Sequence, residues 1–337
     1  MISKERVSVR YLTPIIVVLF FVSVCGAEVN EPSPPVSVTV QVVNGTANGT
    51  AVEGDKVFLR VYRHEQILKT LDGVADKDGK AVFRDVPCGD HAMGVVSAMH
   101  LNMNFGASPV QLNAGAGDAA AEVQVFDISY DPAKLSVRSH HLMIKTQQDF
   151  FLVTEYLQLE NPSDTAISSK EKDNKGRPVI LKIMLPKGFK NFNSSGYFDE
   201  NAIVFTDDGF YDTMAIPPGE QIITFSYTLD IPSETANIVK KVSLPTSSVV
   251  VFAELNNAKI EGMGVPSTAT SSQGAPMEFY TLNNLAANSE INFRITGLHK
   301  STSGTAAWII LGGIFAVISI VAIMKLRSGK VPQELPR

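Results

Sequence analysis

Cysteine is nearly absent from this chain. There are two among 337 residues, Cys25 and Cys88. Cys25 lies in an N-terminal stretch with the three parts of an export signal: basic Lys4, Arg6 and Arg10, an apolar run at 14–24, and small residues before a cut after Ala27. Cleavage there leaves Cys88 alone, which excludes an intramolecular disulfide. An exported protein without disulfides is held together by its cores, and this fits a bacterial periplasm better than a disulfide-stapled ectodomain. Two alternatives stand at this end. One is an uncleaved anchor, for which the apolar run is short. The other is lipid attachment at Cys25, where Val24 occupies the place of the small residue that a lipobox needs.

Basic runs are also lacking. The formal net charge is −5, with no concentrated basic surface, so a nucleic-acid partner is not expected. Helical periodicity is almost missing from 134–297. So are the familiar enzyme signatures: no H-E-x-x-H, no G-x-S-x-G, no P-loop and no G-x-G-x-x-G. Ser169 and Lys172 have the S-x-x-K spacing, but they sit in a charged loop without a strand-to-helix context.

What is present is one long uncharged run at 306–324. As a helix it spans about 28 Å, the thickness of a bilayer's hydrocarbon core. Lys325, Arg327, Lys330 and Arg337 follow, which places the tail at 325–337 in the cytoplasm and the rest of the chain outside. Trp308 suits an interfacial anchor. Gly312 and Ala316 have the small-xxx-small spacing that permits a homodimer through this helix.

Ahead of the span the chain alternates polar and apolar residues in short runs bounded by turns. After a linker at 28–35, strands are expected at 36–43, 56–62, 71–75, 80–86, 91–98, 109–112 and 121–128. Asp76, Lys77, Asp78 and Gly79 form a tight turn; the acidic ligands of a calcium loop do not follow at the needed spacing. A second set is expected at 140–145, 150–159, 178–185, 202–206, 211–216, 221–229, 242–244, 249–255 and 290–295. Asp207, Asp208 and Gly209 make a hairpin turn. The charged stretch at 168–177 reads as a solvated, mobile loop. The expected fold is an all-β ectodomain of two antiparallel β-sandwiches in tandem, 36–130 and 134–298, plus one C-terminal transmembrane α-helix. Residues 299–305 reach at most about 25 Å, which keeps the second sandwich near the bilayer.

The segments GTAVEGDKV at 49–57, DKDGKAVFRDVPCGDHAMGV at 76–95 and VQVFDIS at 123–129 resemble a carboxypeptidase regulatory-like domain. That resemblance implies a seven-stranded sandwich of the transthyretin (prealbumin-like) type. Cys88 and His91 stand where proline and an aromatic are common in the family. The second region is similar to immunoglobulin-like modules of bacterial envelope proteins. The whole layout resembles that of a bacterial envelope protein.

The most unusual composition falls at 88–103, where Cys88, His91, Met93, Met99, His100 and Met103 gather soft sulfur and imidazole donors of the kind that suits Cu(I). In a strand, His91 and Met93 share a face, and His100 lies opposite Met99 and Met103. Methionine also fills irregular gaps in cores, which is the packing alternative. His140 and His141 are adjacent, so a strand turns them to opposite faces.

Three functions are weighed. The leading one is a membrane-anchored extracytoplasmic binding or assembly module, non-catalytic, presenting β-sandwich surfaces to a membrane or envelope protein partner. Its contact sites are expected on end loops, first of all 44–54, with a contribution from 168–177. The alternative is a copper-handling or respiratory-complex assembly factor using the donors at 88–103. The third is an enzyme whose site is assembled from distant residues in a polar pocket.

Overall fold

The computed structural model describes residues 34–298, apart from 65, 116, 148, 200, 256–257 and 271–275. The export signal at 1–27, most of the linker at 28–35, the run at 306–324 with Gly312 and Ala316, and the tail at 325–337 lie outside the described residues. Among the described residues no helix is long and apolar enough to cross a membrane.

The N-terminal unit contains β1 (Val36–Asn44), β2 (Lys56–Arg63), β3 (Gln66–Val74), β4 (Lys80–Val86) and β5 (Ala92–His100). It continues with β6 (Met103–Gly106), β7 (Val110–Gln111), β8 (Ala119–Val125) and β9 (Ile128–Ser129). A 3-10 turn, Pro132–Lys134, leads out of it. The C-terminal unit starts with β10 (Ser136–Thr146), β11 (Phe150–Asn161), β12 (Ala166–Ile167), β13 (Leu181–Met184) and β14 (Lys190–Gly196). Next come β15 (Ile203–Thr206), β16 (Gly209–Asp212), β17 (Gly219–Asp230), β18 (Thr235–Lys241) and β19 (Thr246–Glu254). Last are β20 (Lys259–Glu261), β21 (Ser267–Thr270), β22 (Pro276–Leu285) and β23 (Glu290–Thr296).

In the first unit a three-stranded sheet, β4-β1-β8, faces a five-stranded sheet built on β3-β2-β5-β6 with β7 beside β5. Alternation dictates which side chains meet between them. β5 reads AMGVVSAMH, and every second residue is buried: Ala92, Gly94, Val96, Ala98 and His100. Ala92, Val96 and Ala98 pack with Val38, Val40, Leu59, Val61, Phe83 and Val123. Each large apolar side chain removed from water in this way contributes about 1.5–3 kcal/mol.

In the second unit a seven-stranded sheet, β14-β17-β11-β10-β19-β22-β21, is covered by two three-stranded sheets, β13-β16-β15 and β18-β23-β20. Phe151, Val153, Phe225, Tyr227 and Val251 from the large sheet meet Ile183, Phe210, Phe293 and Ile295 from the smaller ones.

The sheets are not wholly antiparallel. β1 runs parallel to β8, and β10 parallel to β19. β9 and β12 form a third parallel pair that belongs to both units. The run expected at 242–244 is not a strand; the strand lies just before it, in β18. The hairpin turn at Asp207 and Asp208 is present, with Thr206 paired to Gly209. The turn at 76–79 is built as expected: Asp76 Oδ1 accepts from the backbone N–H groups of Asp78 and Lys80. Two loops differ from their expected roles. The 168–177 stretch is tied down by Asp173, which accepts from the Lys175 and Arg177 amides, the Arg177 guanidinium and the Tyr211 hydroxyl. The 44–54 loop is not a free tip but lies at the joint between the units, because its polar groups find partners there.

Candidate functional site

One two-stranded ladder positions most of the chemistry of the first unit. β2 and β5 pair antiparallel from Lys56↔Met99 to Arg63↔Ala92. One step beyond one end of this ladder, Asp55 meets His100. One step beyond the other end, His64 meets His91. The two ends are about 25 Å apart. The donors at 88–103 therefore do not converge. His91 and Met93 lie at one end, while Met99, His100 and Met103 lie at the other. The Cys88 thiol is buried and donates to the Pro34 carbonyl at 3.1 Å. Met103 packs against the first core and accepts from the Ser168 hydroxyl at 3.9 Å. Among the described residues no three His, Cys, Asp or Glu side chains are arranged to hold a metal ion.

His100 instead organises the joint. It is 1 % exposed, with Asp55 Oδ2 at 2.7 Å from Nδ1 and Asp127 Oδ1 at 3.2 Å from Nε2. A carboxylate oxygen thus faces each ring nitrogen. Burial raises the Asp55 carboxyl, against the opposing pull of His100. Burial also pushes Asp127 up, but hydrogen bonds from Asn44, Thr50 and His100 outweigh it and hold this carboxyl well below the usual range. The same network reaches the second unit. Thr46 donates its hydroxyl to the Asp164 carbonyl at 2.8 Å and accepts from the Asp127 amide at 3.0 Å. The Ala166 amide donates to the Asp127 carbonyl, and the Ser168 amide to the Ser129 carbonyl, which closes the β9–β12 pair. Ala166 and Ala215 of the second unit complete the core of the first.

A second buried cluster crosses the core of the C-terminal unit. Glu155 Oε2 accepts from Lys240 Nζ at 2.8 Å and faces His140 Nε2 at 2.8 Å; Oε1 accepts from the Tyr227 hydroxyl at 2.7 Å. Lys240 also donates to the Met184 carbonyl at 2.6 Å. All four side chains are buried. Burial would raise the Glu155 carboxyl, but the Lys240 charge and the His140 hydrogen bond overcome it, leaving it at about 2. Burial lowers Lys240, and Glu155 opposes that shift. The Tyr227 hydroxyl is driven well above its ordinary value by burial and by Glu155. The cluster is an ion pair with satisfied neighbours. The opening beside it, lined by His140, Leu157, Ile183 and Thr246, has a volume of about 20 Å³, room for roughly one water. His141 points the other way, between Tyr156 and Phe252 with ring centres 5.5 Å from each.

A surface groove of about 360 Å³ lies where the 168–177 stretch meets β13 and β16. Three of its charged groups are engaged in ion pairs: Lys182 with Glu171 at 2.8 Å, and Asp173 with Arg177 beside the groove at 2.8 Å. Burial pushes Asp173 up, but the Arg177 and Lys175 donors hold it down at about 2.

The core cluster left a trace in the sequence. Glu155 stands in the apolar row of β11 with Phe151, Val153, Leu157 and Leu159, and Tyr227 in that of β17. Lys240 holds an inward position in β18, and His140 one in β10. A polar residue in phase with an apolar row is the signal; which rows meet is not local information.

No family model and no curated protein sequence matches the chain. Among solved structures, an M1 zinc metallopeptidase from Deinococcus radiodurans overlaps 48% of this chain and 42% of its own, with 12% identity and a TM-score of 0.30. The full-length major pilin SpaD from Corynebacterium diphtheriae overlaps 76% of this chain and 84% of its own, with 9% identity and a TM-score of 0.22. The chain thus spans less than half of the metallopeptidase. Overlaps this loose carry no argument about this chain.

Proposed function

We propose that the chain is a membrane-anchored extracytoplasmic binding or assembly module, non-catalytic, that presents β-sandwich surfaces to a membrane or envelope protein partner. The export signal at 1–27, the span at 306–324 and the carboxypeptidase regulatory-like character of 36–130 belong to this proposal. The observation that supports it is the joint. A shared strand pair and a polar network around the buried His100 fix the two units end to end, with the chain entering at one pole and leaving at the other. Val36 pairs with Val86 at the pole away from the joint, next to Pro34 and Cys88. At the opposite pole Thr296 pairs with Thr235, and Leu298 donates to the Glu234 carbonyl. Summed strand rises give a body about 60 Å long. Such a body holds its far tip at a fixed height above a bilayer.

The test places a photoreactive side chain at exposed Val82, Asp90 or Glu254 of the full chain in native membranes. Adducts with a membrane protein at one or more of these positions are expected. The proposal fails if none of the three yields an adduct, or if deleting 306–324 leaves the protein membrane-bound.

A further inference from the structure

We infer that His64 and His91 form a two-imidazole site for a borderline divalent cation such as Zn2+, Ni2+ or Cu2+. The ladder between β2 and β5 ends at Arg63↔Ala92, so the next residues on the two strands, His64 and His91, face each other beyond the sheet. Their rings are 5.2 Å apart, centre to centre, and tilted by 47°. Two imidazoles that each bind a tetrahedral ion through one nitrogen, at about 2.0–2.1 Å, have ring centres roughly 5 Å apart. The observed separation therefore needs little adjustment to close on an ion. Imidazole is the ligand type these metals share.

Two further features fit. Both residues hold a left-handed backbone, with φ of 46° for His64 and 58° for His91. Non-glycine residues adopt that conformation rarely, and it recurs at functional positions. Both are exposed, so an ion reaches them without opening the fold, and water or a partner's side chain completes its coordination. Asp90, also exposed, adds negative charge beside His91. Arg63, the neighbouring cation in sequence, is engaged by the Cys88 carbonyl at 2.9 Å.

This site differs from the Cu(I) cluster expected at 88–103. It takes only His91 from that set, and its second ligand comes from the β2–β3 turn. It rests on the ladder geometry alone and not on membrane anchoring. At the far tip of the body it would give the partner of the proposed module a metal-bridged contact.

The test titrates the full chain in detergent with Zn2+ against a chromophoric chelator, and with Cu2+ followed by electron paramagnetic resonance. One saturable equivalent is expected, with nitrogen hyperfine structure from two imidazoles. His64→Ala and His91→Ala should each weaken binding by about tenfold or more, as loss of one of two ligands requires. Met99→Leu, Met103→Leu and His299→Ala should leave it unchanged. Circular dichroism of each variant separates ligand loss from unfolding, since both histidines are exposed. The inference is overturned if no saturable binding occurs below millimolar metal, in which case the rings merely pack. It is equally overturned if binding survives in folded His64→Ala/His91→Ala, or is lost in His299→Ala.

Discussion

Two buried acidic residues carry opposite pH signatures. Asp212 is 1 % exposed, and its Oδ1 accepts from the Met214 amide while Oδ2 has no partner among the described residues. Burial raises its pKa to about 6, against the backbone hydrogen bonds that oppose it. The folded value lies above the unfolded one, so the group's stabilising contribution is fully present below about pH 4 and is lost as pH rises through 6. Asp212→Asn, which cannot ionise, should therefore be more stable than the parent by about 3 kcal/mol at pH 8 and equal to it near pH 4. Urea melts at the two pH values check this. Glu155 behaves the other way. Its folded value near 2 lies below the unfolded one, so its contribution is present above about pH 4.5 and is lost as pH falls through 2. Glu155→Gln leaves Lys240 charged and unpaired in the core, at a cost of about 3–5 kcal/mol. Glu155→Gln/Lys240→Met removes both charges and should cost clearly less than the single variant. A double variant as unstable as Glu155→Gln would mean that lost packing, not an orphaned charge, sets the penalty.

Elements were legible where a strand has one wet face and one dry face. β1, β2, β4 and β17 alternate plainly and lie within a few residues of their expected limits. β14, KNFNSSG, escaped because it is an edge strand that pairs only with β17 and buries no complete row. β18 escaped because Lys240 interrupts its inward row, and that lysine makes sense only once Glu155 is opposite it. The joint was hidden for the same reason: Asn44 and Asp164 read as ordinary turn residues, and Asp127 as the end of a strand, until the two units meet. One element prediction rests on close approach rather than on pattern. Gly209 opens β16 at φ +148°, and a Cβ there would lie 2.1 Å from the Ile183 carbonyl oxygen. That oxygen belongs to the backbone of β13, which cannot yield without breaking the Met184↔Gly209 end of the ladder. Gly209→Ala should cost at least about 2 kcal/mol, measured by chemical denaturation. A near-neutral result would show that β13 shifts freely.

At the scale of the whole molecule the question is whether two cores act as one body. Each unit has its own hydrophobic core, and tandem domains move relative to one another unless their interface is large or tightly bonded. Here the contact combines the β9–β12 pair, the apolar Ala166 and Ala215, and bonds from Thr46 and Ala47 to Asp164, and the 44–54 loop that carries those last bonds is held by one residue. Asp127 accepts from Asn44 at 2.8 Å and from the Thr50 hydroxyl at 2.8 Å, faces His100, and through its own backbone holds Thr46 and Ala166. Removing the carboxylate takes away the partner that Thr50 and His100 share, leaves Asn44 with the Thr50 carbonyl, and lets the 44–54 loop release Asp164. Leaving such groups unpaired costs more than the net worth of the bonds themselves, about 1–3 kcal/mol for each buried group. Asp127→Ala should therefore loosen the joint while both cores remain intact. Spin labels at exposed Val82→Cys and Glu254→Cys, in a Cys88→Ser background, report on opposite units. The parent should give one narrow distance distribution, and Asp127→Ala a distribution several-fold broader with unchanged circular dichroism. A parent as broad as the variant would mean that the units swing freely, and a swinging tip sets no fixed height for a partner.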